Sequence, residues 1–481
     1  MNAPRVRLVG IERREVPYCL RMPFRFGVTT ATQGIQAFLR VRVRLDNGAE
    51  ATGYAAEAVG AKWFDKNLAL SDADNHDQLR KSLELAGAAY LAAGPATPFA
   101  LFADHYQAHV EACAALGLNP LIASYGQSLT DRAILDAVCR AYDVSFYRAM
   151  RSNLAGLTQH DVASDLAGVD LGRLFADAAP ATTIAVRHTV GLVDPITASD
   201  LAAQDRVGDG LPETLEEVVA AYGNRYFKIK VGGDADADLD RLTRIAHVLD
   251  HVLDRIAEPY FVTLDGNEQY DDDAGIAAFY RRVKEKPALK RLAASILYVE
   301  QPINRAQALA KPVDELASLV PVIIDESDGE LRAFPQARAL GYSGVSSKAC
   351  KGIYKSMLNH ARCRAWNGGG ESRYFMSAED LTCQPGISLQ QDLALVNLLG
   401  LTHVERNAHH FIDGFSGSQR EAKAFLNAHP DLYHLQDGRV RLKIEAGRCA
   451  IASLDCPGFG TTLPPDFDSA APMPAAQWPK S

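Results

Sequence analysis

Two lysines stand one residue apart in the apolar stretch YFKIKVGGD, at Lys228 and Lys230. Alternate side chains of a strand share a face, so both ammonium groups should leave the same side. Further along, carboxylates close other short apolar runs: Asp265 in VTLDGNEQ, Glu300 in LYVEQP and Asp325 in VIIDES. Lys348 follows in VSSKACKG. Steps of 37, 35, 25 and 23 residues separate Lys228, Asp265, Glu300, Asp325 and Lys348. Each step has room for one strand and one helix. Three carboxylates converging in an apolar mouth repel, and do not all ionise without a cation. Hard oxygen donors suit a divalent ion, Mg2+ with Mn2+ as its substitute. The lysines supply the other half of the chemistry. A close like charge lowers a lysine pKa, which suits a base working near pH 7. Separate, solvated acids at strand ends are the plainer alternative.

The elements that must position these residues are visible as texture. Beyond about residue 180, short apolar runs recur eight times: TTIAVRHTVG, YFKIKVGG, YFVTLDGN, SILYVEQP, VPVIIDES, YSGVSSKAC, RYFMSAED and LTHVERNA. Amphipathic stretches such as DLDRLTRIAHVLDHVLDRI lie between them. This alternation predicts an α/β fold, a (β/α)8 barrel over 180–430, with its chemistry at the C-terminal strand ends. Residues 1–57 read as strands, with a hairpin turn at DNG, 46–48, and residues 72–156 read as helices. Together they make an N-terminal α+β capping domain over 1–160. The segment 431–481 is expected to return to that cap. Within it GRVRLKIEAGRCAIASLDCPGFG alternates like strand, and the tail after 462 is expected to be irregular.

Composition narrows the function. The 481 residues are 47% hydrophobic and 23% charged, enough for a sizeable core. A net charge of −9 without a basic block speaks against nucleic acid. No apolar run approaches a membrane span. The eight cysteines form no CxxC pair, which points to a reduced, cytoplasmic protein. His403, His409 and His410 follow the last strand, where a surface or loop position is expected, and His188 on the first strand is a weak catalytic candidate. The glycine-rich NGGGES, 367–372, precedes a strand, which argues against a phosphate cradle.

KxK, then DxN, then Glu, then Asp-Glu, then Lys, on successive strands, resembles the muconate lactonizing enzyme subgroup of the enolase superfamily (the mandelate racemase/muconate lactonizing enzyme family). Its members include cycloisomerases, dipeptide epimerases, N-acylamino acid racemases and o-succinylbenzoate synthases. The resemblance covers nearly the whole chain, and CPGFG at 456–460 is similar to the family's closing turn. It implies that Asp265, Glu300 and Asp325 ligate Mg2+, with Asn267 and Glu326 beside them. Lys230 would be the base on one face of the substrate and Lys348 the acid/base on the other. Lys228 would hold the substrate carboxylate. The implied activity is Mg-dependent α-proton abstraction through an enediolate by an isomerase, a racemase/epimerase or cycloisomerase. β-Elimination is the alternative outcome. A Schiff-base lysine barrel and a silent binding protein are weaker alternatives.

The chain also departs from the pattern. KGIYKS stands where the family has a glycine pair after the second lysine. No DxD lies on the eighth strand, which disfavours a dipeptide, and no histidine ends the seventh strand, which disfavours the mandelate racemase subgroup. Substrate contacts are expected from the cap loops near 24–30 and 57–64, which carry Phe24, Arg25, Phe26 and Trp63, and from Ser377, Glu379 and Asp380. The expected partners are a small-molecule carboxylate and further copies of the chain.

Overall fold

The computed structural model describes residues 3–27, 29–254, 259–368 and 372–479. Residues 369–371 of the glycine-rich stretch, and Val28 in the 24–30 loop, lie outside the described residues. The chain opens with three antiparallel strands, β1 (Val6–Phe26), β2 (Thr29–Leu45) and β3 (Glu50–Ala58). The alternation seen in the sequence decides their faces. Leu39, Val41 and Val43 are fully buried, whereas Arg42 and Arg44 between and beyond them are exposed. The DNG turn closes β2 onto β3, with Gly48 at φ 82, a region that side chains disfavour.

Helices α1 (Ala61–Phe64), α2 (Asp72–Ala92), α3 (Pro98–Ala115), α4 (Pro120–Ala141) and α5 (Phe146–Arg151) complete the cap. Their starts are written locally. Ser71 and Asp74 form a capping box, and Thr97 and Asn119 cap helices that begin with proline. The helix α4 lies so close on β3 that a Cβ at Gly53 would stand 2.1 Å from the Ala133 carbonyl oxygen.

The eight strands expected from the sequence all form: β4 (Thr183–Val190), β5 (Tyr226–Lys230), β6 (Phe261–Asp265), β7 (Ile296–Glu300), β8 (Val322–Ile324), β9 (Gly344–Ser347), β10 (Phe375–Ala378) and β11 (His403–Arg406). Neighbours from β4 to β10 pair in parallel, and β11 pairs in parallel with β4. The sheet therefore curls into a TIM-like barrel. At its β10–β11 seam the bonds run through side chains: the Asp380 amide donates to Glu405 Oε2 (2.9 Å) and the Asn407 amide to Asp380 Oδ2 (3.0 Å). Helices cover the outside. In the helix Ala235–Asp254 the buried Leu239, Leu242, Ile245, Ala246 and Leu249 recur every three to four residues and face the strands.

The last segment touches both units. Strands β12 (Tyr433–Gln436) and β13 (Arg439–Leu442) form a hairpin, and β14 (Arg448–Ala450) pairs antiparallel with barrel strand β4. The CPGFG turn packs on the cap instead, with the Phe459 ring stacked 3.8 Å from Phe146. Strand β15 (Ala471–Pro472) pairs with β1, and the Trp478 indole donates to the Leu116 carbonyl. Among the described residues, no helix is long and apolar enough to cross a membrane.

Gly53→Ala is expected to destabilise the fold by ~1–3 kcal/mol or more, because a methyl group there meets backbone. Gly94→Ala, where a methyl meets nothing within 4 Å, is the control. Urea unfolding of the two variants checks this; equal midpoints would mean that β3 and α4 are not packed this closely.

Candidate active site

Strand alternation puts Lys228 and Lys230 inside the barrel and leaves Phe227 and Ile229 to the helix layer. Lys228 is 1% exposed. Its ammonium lies among four carboxylates: Glu300 Oε1 and Glu379 Oε2 at 2.7 Å, Asp265 Oδ2 at 2.9 Å and Glu405 Oε2 at 3.1 Å. Lys230, one alternation nearer the mouth, reaches Asp265 Oδ2 at 2.5 Å. Lys348 follows β9, four strands away from β5 and so across the bore. It bonds Asp325 Oδ2 at 2.6 Å, and its ammonium lies 4.1 Å from the ring centre of Trp63. The cap thus supplies a cation–π contact directly over this lysine.

A polar layer lies beneath. Arg187 on β4 faces the bore and bonds Glu379, Ser377 Oγ (3.3 Å), the Ala378 carbonyl (2.8 Å) and His403 Nδ1 (2.6 Å). The Tyr298 hydroxyl bonds Ser377 Oγ at 2.5 Å. Ser377 and Glu379 were expected to touch substrate. They are buried in this lower layer and do not line the cavity above it. Asp380 does line the cavity, although its oxygens are held by the Cys383 and Asn407 amides and by Arg406. Arg25 is exposed on β1, while its neighbours Phe24 and Phe26 face the cavity.

That cavity, of about 680 Å³, has Lys228, Lys230, Lys348 and Glu405 on its floor. Its roof is the cap, with Phe24, Phe26 and Thr30 of the β1–β2 hairpin and the stretch from Ala58 to Trp63. The cap is tied down at its rim. Lys66 bonds Glu268 Oε2 at 2.6 Å, and Arg305 bonds Glu268 together with the carbonyls of Trp63 and Phe64. Asn267 links the rim to the acids: its amide nitrogen donates to Asp265 Oδ1 (2.8 Å) and its side chain to Glu326 Oε1 (2.6 Å).

The charges settle unequally. Burial alone would lower the Lys228 pKa, but Asp265, Glu300, Glu379 and Glu405 outweigh it and hold the ammonium well above its usual range. The same contest, with Asp325 as partner, raises Lys348. Burial opposes ionisation of Asp325 too, yet Lys348 and Lys351 hold it well below the ordinary carboxylate range. Glu300 goes the other way: burial, Asp265 and Glu379 push its carboxyl well up. Its Oε2 is buried and has no hydrogen-bond partner, and neither has Oε2 of Glu326.

The sequence argument assigned the neutralising charge to a metal. In the arrangement seen, lysines supply most of it. Among the described residues, no group of three or more His, Cys, Asp or Glu is disposed to hold a metal ion. The donor chemistry of Asp265, Glu300 and Asp325 nevertheless fits a hard cation, and the unpartnered Glu300 oxygen marks where positive charge is lacking.

Two lysines escaped the sequence analysis as site residues. Lys351 bonds Ser346 Oγ (2.6 Å), Asp325 Oδ1 (3.3 Å) and Asp328 Oδ2 (3.1 Å). Lys355 lies against Asp328 at 3.3 Å, and burial brings its pKa down to about 8. Both belong to the KGIYKS departure from the family pattern, beyond a strand end, so the strand-end rule did not select them. Tyr298 could have been found, because it lies two residues before Glu300 on the same strand and so shares its face.

The histidines are not on the surface. His188 points out of the barrel, where its ring meets His410 at 5.0 Å and His409 at 5.5 Å. His188 and His410 are buried, and burial lowers the His188 pKa to about 3.

No protein-family model matches the chain, and no curated protein matches it. Solved structures do. A dipeptide epimerase from Enterococcus faecalis V583, complexed with Mg and the dipeptide L-Leu-L-Tyr, is similar at TM-score 0.59 and 13% identity, over 94% of this chain and 99% of that one. An enolase from Bradyrhizobium, complexed with magnesium and mandelic acid, gives 0.58 and 17%, over 95% and 96%. An enolase from Streptomyces coelicolor gives 0.58 and 15%, over 96% of each chain. At these identities the likeness is one of fold.

Arg187→Met is expected to cost ~3–5 kcal/mol of stability, because it leaves Glu379 buried without its guanidinium partner. Chemical denaturation measures it. A change below about 1 kcal/mol would show that the lower layer does not depend on this pair.

Proposed function

We propose that this protein is an enolase-superfamily isomerase with the site pattern of the muconate lactonizing enzyme subgroup. It removes the proton α to a carboxylate and returns one, in a racemisation, epimerisation or cycloisomerisation. One observation carries the reading: Lys230 and Lys348, from opposite strands, open onto the floor of one cavity, with Asp265, Glu300 and Asp325 behind them. The barrel shared with Mg-bound epimerase and enolase structures supports it.

Asp265, Glu300 and Asp325 would hold Mg2+, or Mn2+ in its place. When bound, it would offset the negative charge that builds up on the substrate carboxylate as the proton leaves. The rest falls to the chain's own groups. Lys228, fixed by four carboxylates, presents positive charge to the anionic end of the substrate from below. Lys230 and Lys348 stand on opposite sides, so each addresses one face of the α-carbon. A lysine acts as base only when neutral. In the arrangement described, Asp325 keeps Lys348 protonated, which suits it to return a proton. To take a proton instead, it must first release its own to solvent, which its pairing with Asp325 opposes. The cap excludes water: Trp63 covers Lys348, and Arg305 and Lys66 fasten the loop that carries it.

Hydrogen–deuterium exchange at the α-carbon, followed by NMR in deuterated water, tests the lysines. With a racemisable substrate, Lys230→Ala is expected to stop exchange from one enantiomer and Lys348→Ala from the other, each by ~10²–10⁴ in rate. Undiminished exchange in the double variant would sink the assignment. Glu300→Gln is expected to weaken Mg2+ binding, read directly by calorimetry, together with activity. Full activity after chelation and metal removal would rule out the metal.

A further inference from the structure

The cavity is much larger than the site chemistry needs, and its two halves differ. Charge is concentrated on the floor, where Lys230 and Lys348 face the opening beside Lys228 and Glu405. The cap half is walled by Tyr18, Leu20, Phe24, Phe26, Val59 and Trp63. Thr29, Thr30, Thr32 and Gln33 add groups that are polar but uncharged.

The ionisable residues among the cap-side lining are Lys62, Asp72 and His76. The Lys62 ammonium is tied to the carbonyls of Asn67 (3.1 Å) and Leu70 (2.5 Å). Asp72 is exposed at the start of α2, and His76 follows it at the rim. Arg25, on the same strand as Phe24 and Phe26, points away. A second carboxylate or an ammonium on the far end of a substrate would lose its water and find no opposite charge in the apolar wall, a costly burial. A chain of hydroxyls could reach Thr29, Thr30, Thr32 and Gln33 but would leave some of its groups against the apolar wall.

The apolar wall is also fixed in place. Phe24 packs on Phe411 of the barrel at 4.5 Å between ring centres and on Phe26 at 5.6 Å. Met22 joins Phe24 and Phe411 in a separate apolar cluster between the β1–β2 hairpin and the barrel. Arg21, in the irregular stretch of this hairpin between Cys19 and Phe24, fastens it through Asp209 and the His410 carbonyl (2.8 Å). A volume of about 680 Å³ equals roughly 20 waters at ~30 Å³ each. It lies in the range that encloses drug-sized ligands rather than a four-carbon acid.

We infer that the substrate is a monocarboxylate with a bulky, uncharged apolar body, aromatic or branched, attached near the α-carbon. The carboxylate end lies on the lysine floor and the apolar body fills the cap wall. This rests on the proposed reading of Lys230 and Lys348 as the groups that face the α-carbon. It sets apart three ligand classes that the same barrel chemistry would otherwise serve: sugar acids, dicarboxylates, and zwitterionic dipeptides.

Calorimetric titration of the full-length protein in Mg2+ tests the inference with N-benzoylalanine as the apolar probe. Galactonate, cis,cis-muconate and alanylglutamate are the comparison probes. The expected result is at least tenfold tighter binding of N-benzoylalanine than of any comparison probe. Phe26→Ala, and the gentler Phe26→Leu in case the first misfolds, should each reduce that preference, the alanine variant by roughly tenfold. Equal or tighter binding of any comparison probe overturns the inference, and so does a preference unchanged in both Phe26 variants. α-Proton exchange in deuterated water is read separately on every probe. Tight N-benzoylalanine binding without exchange supports the ligand class and counts against the catalytic reading. Exchange of galactonate, or lactonisation of muconate, with no N-benzoylalanine binding does the reverse.

Discussion

The structure depends on one buried ammonium. Lys228 sits at the centre of the barrel bore and meets carboxylates from β6, β7 and the ends of β10 and β11. Without it, four acids would share a dry space, and most would have to take up protons or separate. With it, four strands are drawn to one point, including the two that flank the seam without a backbone ladder. Desolvating such a charge costs several kcal/mol, roughly, and only complete pairing recovers the loss. The apolar residues around it, Phe227 and Ile229, face the opposite layer, so the same short strand packs the outside of the sheet and charges the inside.

From that centre the charge is layered. Below it, Arg187 neutralises Glu379 and aligns Ser377 and Tyr298. Above it, Lys230 and Lys348 take Asp265 and Asp325. Lys351 and Lys355 extend the basic series behind Asp325 and Asp328. Of the strand-end carboxylates Asp265, Glu300 and Asp325, Glu300 alone is left with an unpartnered buried oxygen and a carboxyl pushed towards its protonated form. The site is therefore nearly balanced from within, and the place where it falls short is the middle of the three carboxylates.

The cap roofs this charged floor. Its long β1–β2 hairpin reaches down to the barrel, and Phe24 and Trp63 close over the lysines from two directions. Ionic contacts at the rim hold the loop while aromatic contacts hold the hairpin. Phe24 both fastens the hairpin, by packing on Phe411, and walls the cavity.

The sequence by itself determined the eight barrel strands, the hairpin at DNG and the helical cap, because each is written in a local period or a turn residue. It also placed Lys228, Lys230, Asp265, Glu300, Asp325 and Lys348 at the strand ends, since a strand end is a local feature. It did not show what these groups would touch. Glu379 and Glu405 lie 151 and 177 residues from Lys228, and only barrel closure brings them to its ammonium. Ser377 and Glu379 were assigned to substrate because they end a strand, but depth along the bore, which depends on stagger between strands, puts them one layer too low. Arg25 was assigned with its aromatic neighbours, but the pleat of β1 turns it outward. Lys351 lies outside the strand-end rule altogether, and becomes a partner of Asp325 only because the chain folds into a short helical turn, Ala349–Lys351, straight after β9. Local periodicity sets which residues face the bore; the closure and stagger of the barrel decide which charges meet.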